Sequence, residues 1–322
     1  MSDSSNIPIT LAKHIRSTHP GWSWNECRNV IKSARVTVNN ETITDDTFRV
    51  PDNSVVEIHA RPQLQSSSKS KNETSLHVYH YDQHIIVIEK PSGIESVPFE
   101  TKKKFEGRFH AQTSDTLIDM ARKWLEQNER QKLPPLKVVH RLDKGTSGII
   151  VFARTVTAER HLGKLFREHD IKRSYIAFCP GVPKSETIRS RLVENRGDGK
   201  RGSTKNKTLG KEAITHVNRL QTRKTPKGSI ISMVACQLET GRTHQIRIHL
   251  SEAGHPLCGE TVYNGPMGDK KLLLEGFGIP RIGLHARELG FMHPVTNQVI
   301  YWESPLPKDL QDWWETAKDS TF

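Results

Sequence analysis

Two uninterrupted apolar runs, Ile85-Ile86-Val87-Ile88 and Ile149-Ile150-Val151-Phe152-Ala153, stand out from a largely polar chain. Short, β-branched and without alternation, they predict strands covered on both faces. The first ends in the turn Glu89-Lys90-Pro91-Ser92-Gly93. Helical spacing follows in Leu117, Ala121, Trp124 and Leu125, which predicts a helix over residues 115 to about 127 with Ser114 as its cap. Ala158, Leu162, Leu165 and Phe166 mark another, capped by Thr157 with Glu159 in its first turn. Its polar face carries Arg160, Lys164 and Arg167. Residues 174–179 and 230–238 are predicted strands, and residues 243 to about 253 a helix ended by Gly254-His255-Pro256.

Residues 8–61 have a pattern of their own. Helical stretches surround Leu11, Ala12 and Ile15 and cover residues 24–32, followed by a strand, a tight turn at Asn39-Asn40 and a second strand over residues 54–59. Arg28, Lys32 and Arg35 fall along one side of the second helix and its exit. The serine-rich stretch from Gln63 to Asn72 has nothing to bury and predicts a flexible linker, so a larger unit starts near Leu76. Residues 184–211 interleave lysine and arginine with glycine and serine, predicting a mobile basic loop able to clamp a phosphate backbone.

Charge adds a partner class. The chain has 322 residues, with 48 Lys and Arg against 36 Asp and Glu, a formal charge of +12 that favours polyanions. Cys27, Cys179, Cys236 and Cys258 are far apart, which suggests neither a zinc ribbon nor a disulfide framework. The first residues lack a basic segment followed by an apolar one, and no run reaches membrane-spanning length. A cytoplasmic protein that does not enter a membrane is expected. His244, His249 and His255 do not share a helical face, so no metal site is expected from them.

The candidate chemistry sits before the second apolar run, in His140-Arg141-Leu142-Asp143-Lys144-Gly145-Thr146-Ser147-Gly148. This glycine-punctuated turn delivers one carboxylate to the edge of a core, with Arg141 and Lys144 bracketing it. Alone, such an acid is ordinarily bonded to the backbone of its own turn. Two further residues shift the balance. Ile246, Leu250 and Ala253 form the apolar face of the helix after Gly241, and Arg247 lies at its boundary. A guanidinium there needs an anion, since leaving it unpaired costs roughly several kcal/mol. Asp143 is a candidate for a two-pronged pair, with a purely structural tie as the alternative. Tyr175 lies in an otherwise apolar strand, where it can stack on a base or serve only as core.

The turn resembles the catalytic motif of RNA pseudouridine synthases, specifically the RluA branch, in which histidine rather than glycine precedes Arg-Leu-Asp. Other stretches agree in order: Lys90-Pro91-Ser92-Gly93, Lys172-Arg173-Ser174-Tyr175, Gly210-Lys211-Glu212-Ala213-Ile214-Thr215, Thr240-Gly241-Arg242-Thr243-His244-Gln245-Ile246-Arg247-Ile248-His249-Leu250, and Leu284-His285-Ala286 with His293-Pro294. The resemblance covers about residues 75–308. It implies an α+β fold with a mixed, mostly antiparallel central sheet, flanking helices and a cleft across the middle. Asp143 matches the family's catalytic aspartate, Tyr175 the tyrosine that packs on the target base, and Arg247 the arginine that pairs with the aspartate. Residues 8–61 resemble the S-four RNA-binding module, a small α/β domain, with Asn39-Asn40 where Asn-Gly is usual.

The expected layout is therefore an RNA-binding domain at 8–61, a linker at 62–74, a catalytic domain at 75–308 and a C-terminal tail helix at 309–322. Arg141, Lys144, Arg242 and His244, with Arg28, Lys32 and Arg35, are the candidate RNA contacts. The implied reaction needs no redox change or group donor, so no cofactor is expected. The expected substrate is large-subunit ribosomal RNA, with transfer RNA next, and the expected state is a monomer. A glycosidase would need a second positioned carboxylate, and no other acid has comparable sequence context. The alternative class is a non-catalytic RNA-binding or ribosome-assembly factor on the same fold.

Overall fold

The computed structural model describes residues 9–39, 41–51, 54–60, 76–98, 115–129, 134–264 and 277–319. Contacts divide the chain into two compact units, Met1–Ser75 and Leu76–Phe322. The serine-rich stretch at 63–72 lies outside the described residues.

In the first unit, helices α1 (Leu11–Thr18) and α2 (Trp24–Lys32) precede strands β1 (Val36–Val38), β2 (Glu41–Thr42) and β3 (Val56–Ile58). The strands form an antiparallel sheet in the order β2-β1-β3. Ser23 and Glu26 make a reciprocal capping box at the start of α2. Leu11, Ile15, Cys27, Ile31 and Val36 are fully buried in the shared core. Asn39 takes φ +51°, the left-handed corner that the tight turn requires. Of the three basic candidates, Arg28 and Lys32 both approach Asp46 at 3.6 Å, and Arg35 donates through Nε to the His59 carbonyl at 2.7 Å.

The second unit opens with β4 (Val78–Tyr81), β5 (Ile85–Lys90), α3 (Leu117–Asn128), β6 (Lys137–Val138), β7 (Ser147–Ala153) and α4 (Val156–Glu168). Then come β8 (Lys172–Pro180), β9 (Glu186–Val193), β10 (Gly202–Ser203), β11 (Lys211–Lys224), β12 (Ile230–Leu238) and α5 (Gln245–Glu252). It closes with β13 (Leu284–Met292), β14 (Val299–Glu303), α6 (Lys308–Glu315) and β15 (Lys318–Asp319). The main path of the sheet is β10-β9-β11-β12-β8-β13-β7-β5-β4, with β14 on β13, β15 on β11 and β6 on β7. Among the described residues the parallel pairing is β13 with β7, and the other pairings are antiparallel. The mixed, mostly antiparallel sheet that the family resemblance implies is thus present.

Both apolar runs are buried on two faces, as their lack of alternation predicts. Ile86, Ile88, Ile150 and Phe152 pack with Leu117, Ala121 and Leu125 of α3, while Ile85, Val87, Ile149 and Val151 pack with Ala158, Leu162 and Leu165 of α4. Each buried Ile, Val, Leu or Phe among them contributes about 1.5–3 kcal/mol through burial. Alternation along β8 sends Tyr175, Ala177 and Cys179 to the face shared with Ile246 and Leu250, and Ile176 and Phe178 to the opposite face.

Several sequence expectations are corrected. Thr116, with Asp119, makes the capping box of α3, whereas Ser114 lies outside the described residues. Thr155 rather than Thr157 caps α4, accepting from the Ala158 N–H, because the helix begins at Val156. Helix α5 starts at Gln245, two residues late, because His244 sits at φ +58° and cannot continue into a helix. Residues 184–211 are largely strand and turn: β9 pairs along β11 from Glu186 to Leu192, with β10 beyond it. Tertiary pairing overrides the polar composition that suggested a loop. The C-terminal segment is no appendage, since Leu310, Trp313 and Trp314 of α6 pack into one core cluster with Ile176 and Phe178. Among the described residues no helix is long and apolar enough to cross a membrane, and all four cysteines are buried and free.

Candidate active site

The turn carrying Asp143 is held by the segment that follows β5. Lys90 is fully buried, and its ammonium donates to the carbonyls of Pro91, Lys144 and Thr146 at 3.0, 3.1 and 2.7 Å. Burial pulls its pKa down to about 8, against the opposing pull of the Asp143 charge. Ser92 Oγ donates to the Gly145 carbonyl, the Gly93 N–H to that of Lys144, and Ser96 Oγ to that of Leu142. The Thr146 N–H closes the turn on the Asp143 carbonyl at 3.0 Å. Gly148 is required where the turn joins β7: its φ is +119°, and a Cβ there would lie 2.1 Å from the Ala286 carbonyl oxygen. The Lys-Pro-Ser-Gly stretch thereby acquires a physical role as a clamp on backbone oxygens.

Helix α5 presents Arg247 to the acid. Its Nη1 lies 3.5 Å from Asp143 Oδ2, while Nε and Nη2 form a two-pronged bond to Glu260 at 2.8 and 2.7 Å. The two-pronged partner expected for Asp143 is therefore taken by Glu260, a correction that leaves Arg247 facing two carboxylates. Glu260 is fully buried and also accepts from the N–H groups of Thr261 and Val262 at 2.9 and 2.8 Å. Burial alone would raise its pKa, but the Arg247 bonds and charge lower it on balance. Burial likewise works against the charged form of Arg247, and Glu260 followed by Asp143 raises its pKa overall. Glu260 does have the context of a second positioned acid, yet both Arg247 and backbone donors occupy it, so it does not make a glycosidase pair.

His244 faces the other carboxylate oxygen of Asp143, Nε2 to Oδ1 at 3.8 Å, and its Nδ1 is 2.7 Å from the Tyr263 hydroxyl. Burial, opposed by Asp143 and aided by Arg247, lowers its pKa, so a neutral imidazole meets the acid at neutral pH. Tyr175 is 9% exposed and lines one pocket with Asp143, Leu142, Leu238, Ile246 and Leu284. Burial pushes its hydroxyl pKa up, with Arg173 opposing and Asp143 adding to the rise. The pocket thus combines an apolar floor, an aromatic ring and one carboxylate.

Next to it an open cleft of about 1090 Å³ is lined by Arg141, Arg160, Arg167, Arg173 and Arg242 together with Asp143. The basic face of α4 and the acid turn therefore belong to one surface. His140 is structural here: its ring stacks on Phe166 at 4.5 Å, its Nε2 accepts the Val151 N–H at 3.1 Å, and burial with Arg173 nearby pushes its pKa down to about 3. Lys144 points elsewhere, 66% exposed and 4.0 Å from Glu95. Sequence reasoning brought Asp143, Tyr175, Arg247, Arg141, Arg242 and His244 to this region and missed Glu260, Tyr263 and Arg173. Glu260 follows Gly259, whose φ of +82° and absent Cβ allow close approach to the Arg281 carbonyl, and no periodic pattern around it marks a buried acid.

Among the described residues one trio, His80, Asp82 and His293, gathers metal-ligand atoms within 4.8 Å. Its hydrogen bonds fit a structural tie. His293 Nδ1 accepts from the N–H groups of Val295 and Thr296, so its proton resides on Nε2 and is given to Asp82 at 2.8 Å. A protonated nitrogen offers no lone pair to a cation.

A sheet with helices on both faces, an acid turn at its centre and an arginine-lined cleft beside it together give a surface whose charge suits a polyanion. The family described as RNA pseudouridylate synthase matches residues 84–252. Ribosomal large subunit pseudouridine synthase D of Nitrosomonas europaea is 31% identical over 300 residues, covering 93% of this chain and 79% of that protein. The uncharacterized RNA pseudouridine synthase YhcT of Bacillus subtilis is 32% identical over 252 residues, 78% and 75% of the two chains. The solved structure of human RNA pseudouridylate synthase domain containing 4 shares the fold, with TM-score 0.57 and 24% identity over 74% of this chain and 92% of that one. The chain belongs to the RNA pseudouridine synthase family and is an isomerase.

Proposed function

We propose that this protein converts uridine to pseudouridine in large-subunit ribosomal RNA, with Asp143 acting on the target nucleotide. The observation that carries the reading is the position of that carboxylate, where the Tyr175 pocket opens into the arginine cleft. The reaction breaks the bond from the sugar to ring nitrogen 1, turns the uracil and rebuilds the link to carbon 5. A carboxylate drives it either as nucleophile or as the base that takes a sugar proton to give a glycal.

The detached base has to stay in place and dry while it turns. Leu142, Leu238, Ile246 and Leu284 supply an apolar floor, and Tyr175 the ring that packs on the uracil. Arg247, fixed by Glu260, orients the acid. A stacked uridine cannot reach the pocket, so the target is flipped out, at a cost of roughly a few kcal/mol. Phosphate contacts from Arg141, Arg242 and the α4 arginines offset that cost, with the 8–61 unit as an S-four-like module adding affinity. The names of the relatives support ribosomal over transfer RNA.

Pseudouridine mapping in RNA from cells lacking the protein is expected to show one or more large-subunit positions lost. Wild type restores them and Asp143→Ala does not. Restoration by Asp143→Ala would remove Asp143 from the chemistry, and losses confined to transfer RNA would reassign the substrate.

A further inference from the structure

Arg173 precedes Tyr175 by two residues on β8, so both side chains leave the same face of the strand, and both line the cleft. It is 6% exposed. Nη2 donates to the Glu239 carbonyl at 3.1 Å, and Nε is buried with no hydrogen-bond partner. Among the described residues no carboxylate pairs with it. Its Cζ lies 5.4 Å from the Phe166 ring centroid. Burial lowers its pKa, with Tyr175 opposing and the charge of Arg242 lowering it further.

Other partly buried arginines of this unit are provided for: Arg154 meets Glu129, Arg247 meets Glu260 and Arg281 meets Asp309. Arg173 instead has a second cation beside it, in a turn built to leave it room. A Cβ at Gly241 would come within 2.6 Å of its Nη1. Arg242 spends only Nε on the protein, donating to the Glu212 carbonyl at 2.9 Å. Two guanidinium groups gathered without an acid, one of them desolvated, lack an anion. The planar fork of arginine matches the oxygens of a phosphate.

We propose that Arg173 and Arg242 together receive one backbone phosphate of the RNA, beside the nucleotide that reaches Asp143. This rests on the cleft being the RNA site. Arg173 is then the deep anchor of the strand, and its place two residues from Tyr175 couples backbone capture to base packing.

The test measures binding of a fluorescein-labelled 12-residue oligouridylate to the full-length protein by anisotropy, across a series of salt concentrations. Arg173→Gln and Arg242→Gln are each expected to weaken binding about tenfold and to reduce the salt slope by about one, while Arg173→Lys keeps the slope. The double variant is expected to lose less than the product of the two, because both contact one phosphate. Arg122→Gln on α3, outside the cleft, serves as the control and leaves binding unchanged. A wild-type slope in Arg173→Gln, or fully multiplicative losses in the double variant, would overturn the proposal. If Arg173→Gln proves misfolded by thermal melting, Arg242→Gln and Arg173→Lys decide: no loss of slope in the former, or loss of slope in a folded Arg173→Lys, rejects it. Binding is read without turnover. A protein that binds through Arg173 but makes no pseudouridine sinks the functional reading alone, and one that makes it with Arg173→Gln binding normally sinks only this one.

Discussion

Glu260 grips Arg247 with both carboxylate oxygens and leaves only Nη1, 3.5 Å away, to face Asp143. The arginine is thus positioned from behind, by a residue that lies outside both the pocket and the cleft. Glu260→Gln keeps the shape and removes the charge. It is expected to destabilise the fold by about 3 kcal/mol, because Arg247 remains buried with a weaker partner. Turnover should fall at least about tenfold with KM little changed, equivalent to about 1.4 kcal/mol of transition-state stabilisation. Denaturant unfolding and single-turnover kinetics read the two effects separately. The folded pKa of Glu260 lies below its ordinary value of 4.5, so its contribution is present above that value and is lost as pH falls through the lowered one. Acid unfolding of wild type and Glu260→Gln should converge at low pH.

Lys90 carries the opposite sign. Its pKa is about 8 in the fold against 10.5 in the free side chain, so the unfolded chain holds the proton more tightly between those values. Stability measured relative to Lys90→Met is therefore expected to rise from pH 8 to about pH 10.5 and to be flat below pH 8. A flat difference across the whole range would show that the three carbonyls and the Asp143 charge fully offset the burial of the ammonium. The same variant should slow turnover by freeing the Lys144 and Thr146 carbonyls that fix the Asp143 turn.

Gly148→Ala places a methyl group into the Ala286 carbonyl at a backbone angle that favours glycine. A loss of about 3 kcal/mol or more is expected, seen as a lowered melting temperature. Gly197→Ala, at φ +114° but with open space around it, should cost only the backbone strain and serves as the comparison.

Trp314→Ala tests whether the C-terminal helix is structural. Trp314 is 4% exposed, packs 5.2 Å from the Phe178 ring and is covered by the Arg223 guanidinium. Removing it is expected to cost about 3–5 kcal/mol in urea unfolding. An unchanged midpoint would return α6 to the status of a tail.

The acid turn was readable because everything around it is local: glycines, flanking cations and a continuous apolar run occupy one stretch of chain. Tyr175 stood out as one polar group in an apolar strand and Arg247 as a cation at the margin of an apolar helix face, each open to a structural reading until the family resemblance assigned it a role. Glu260 escaped because its partner is 13 residues away across an irregular segment with no period to announce it. Arg173 escaped for a different reason, since a lysine-arginine pair opening a strand looks like solvated surface until burial is known. Strand β9 was hidden by composition. Its inward positions Ile188, Ser190 and Leu192 alternate with Thr187, Arg189 and Arg191, and only pairing with β11 settles which pattern rules.

Strand β13 lies between β8 and β7, bonded antiparallel to one and parallel to the other. Within the sheet, the Tyr175 strand and the strand that follows the Asp143 turn are joined through residues 284–292, which are made long after both. On a chain emerging in order, the two halves of the pocket exist before the strand that joins them. Leu284 is the last residue of the pocket to be made, so a partly made chain carries the cleft arginines before it carries a complete pocket.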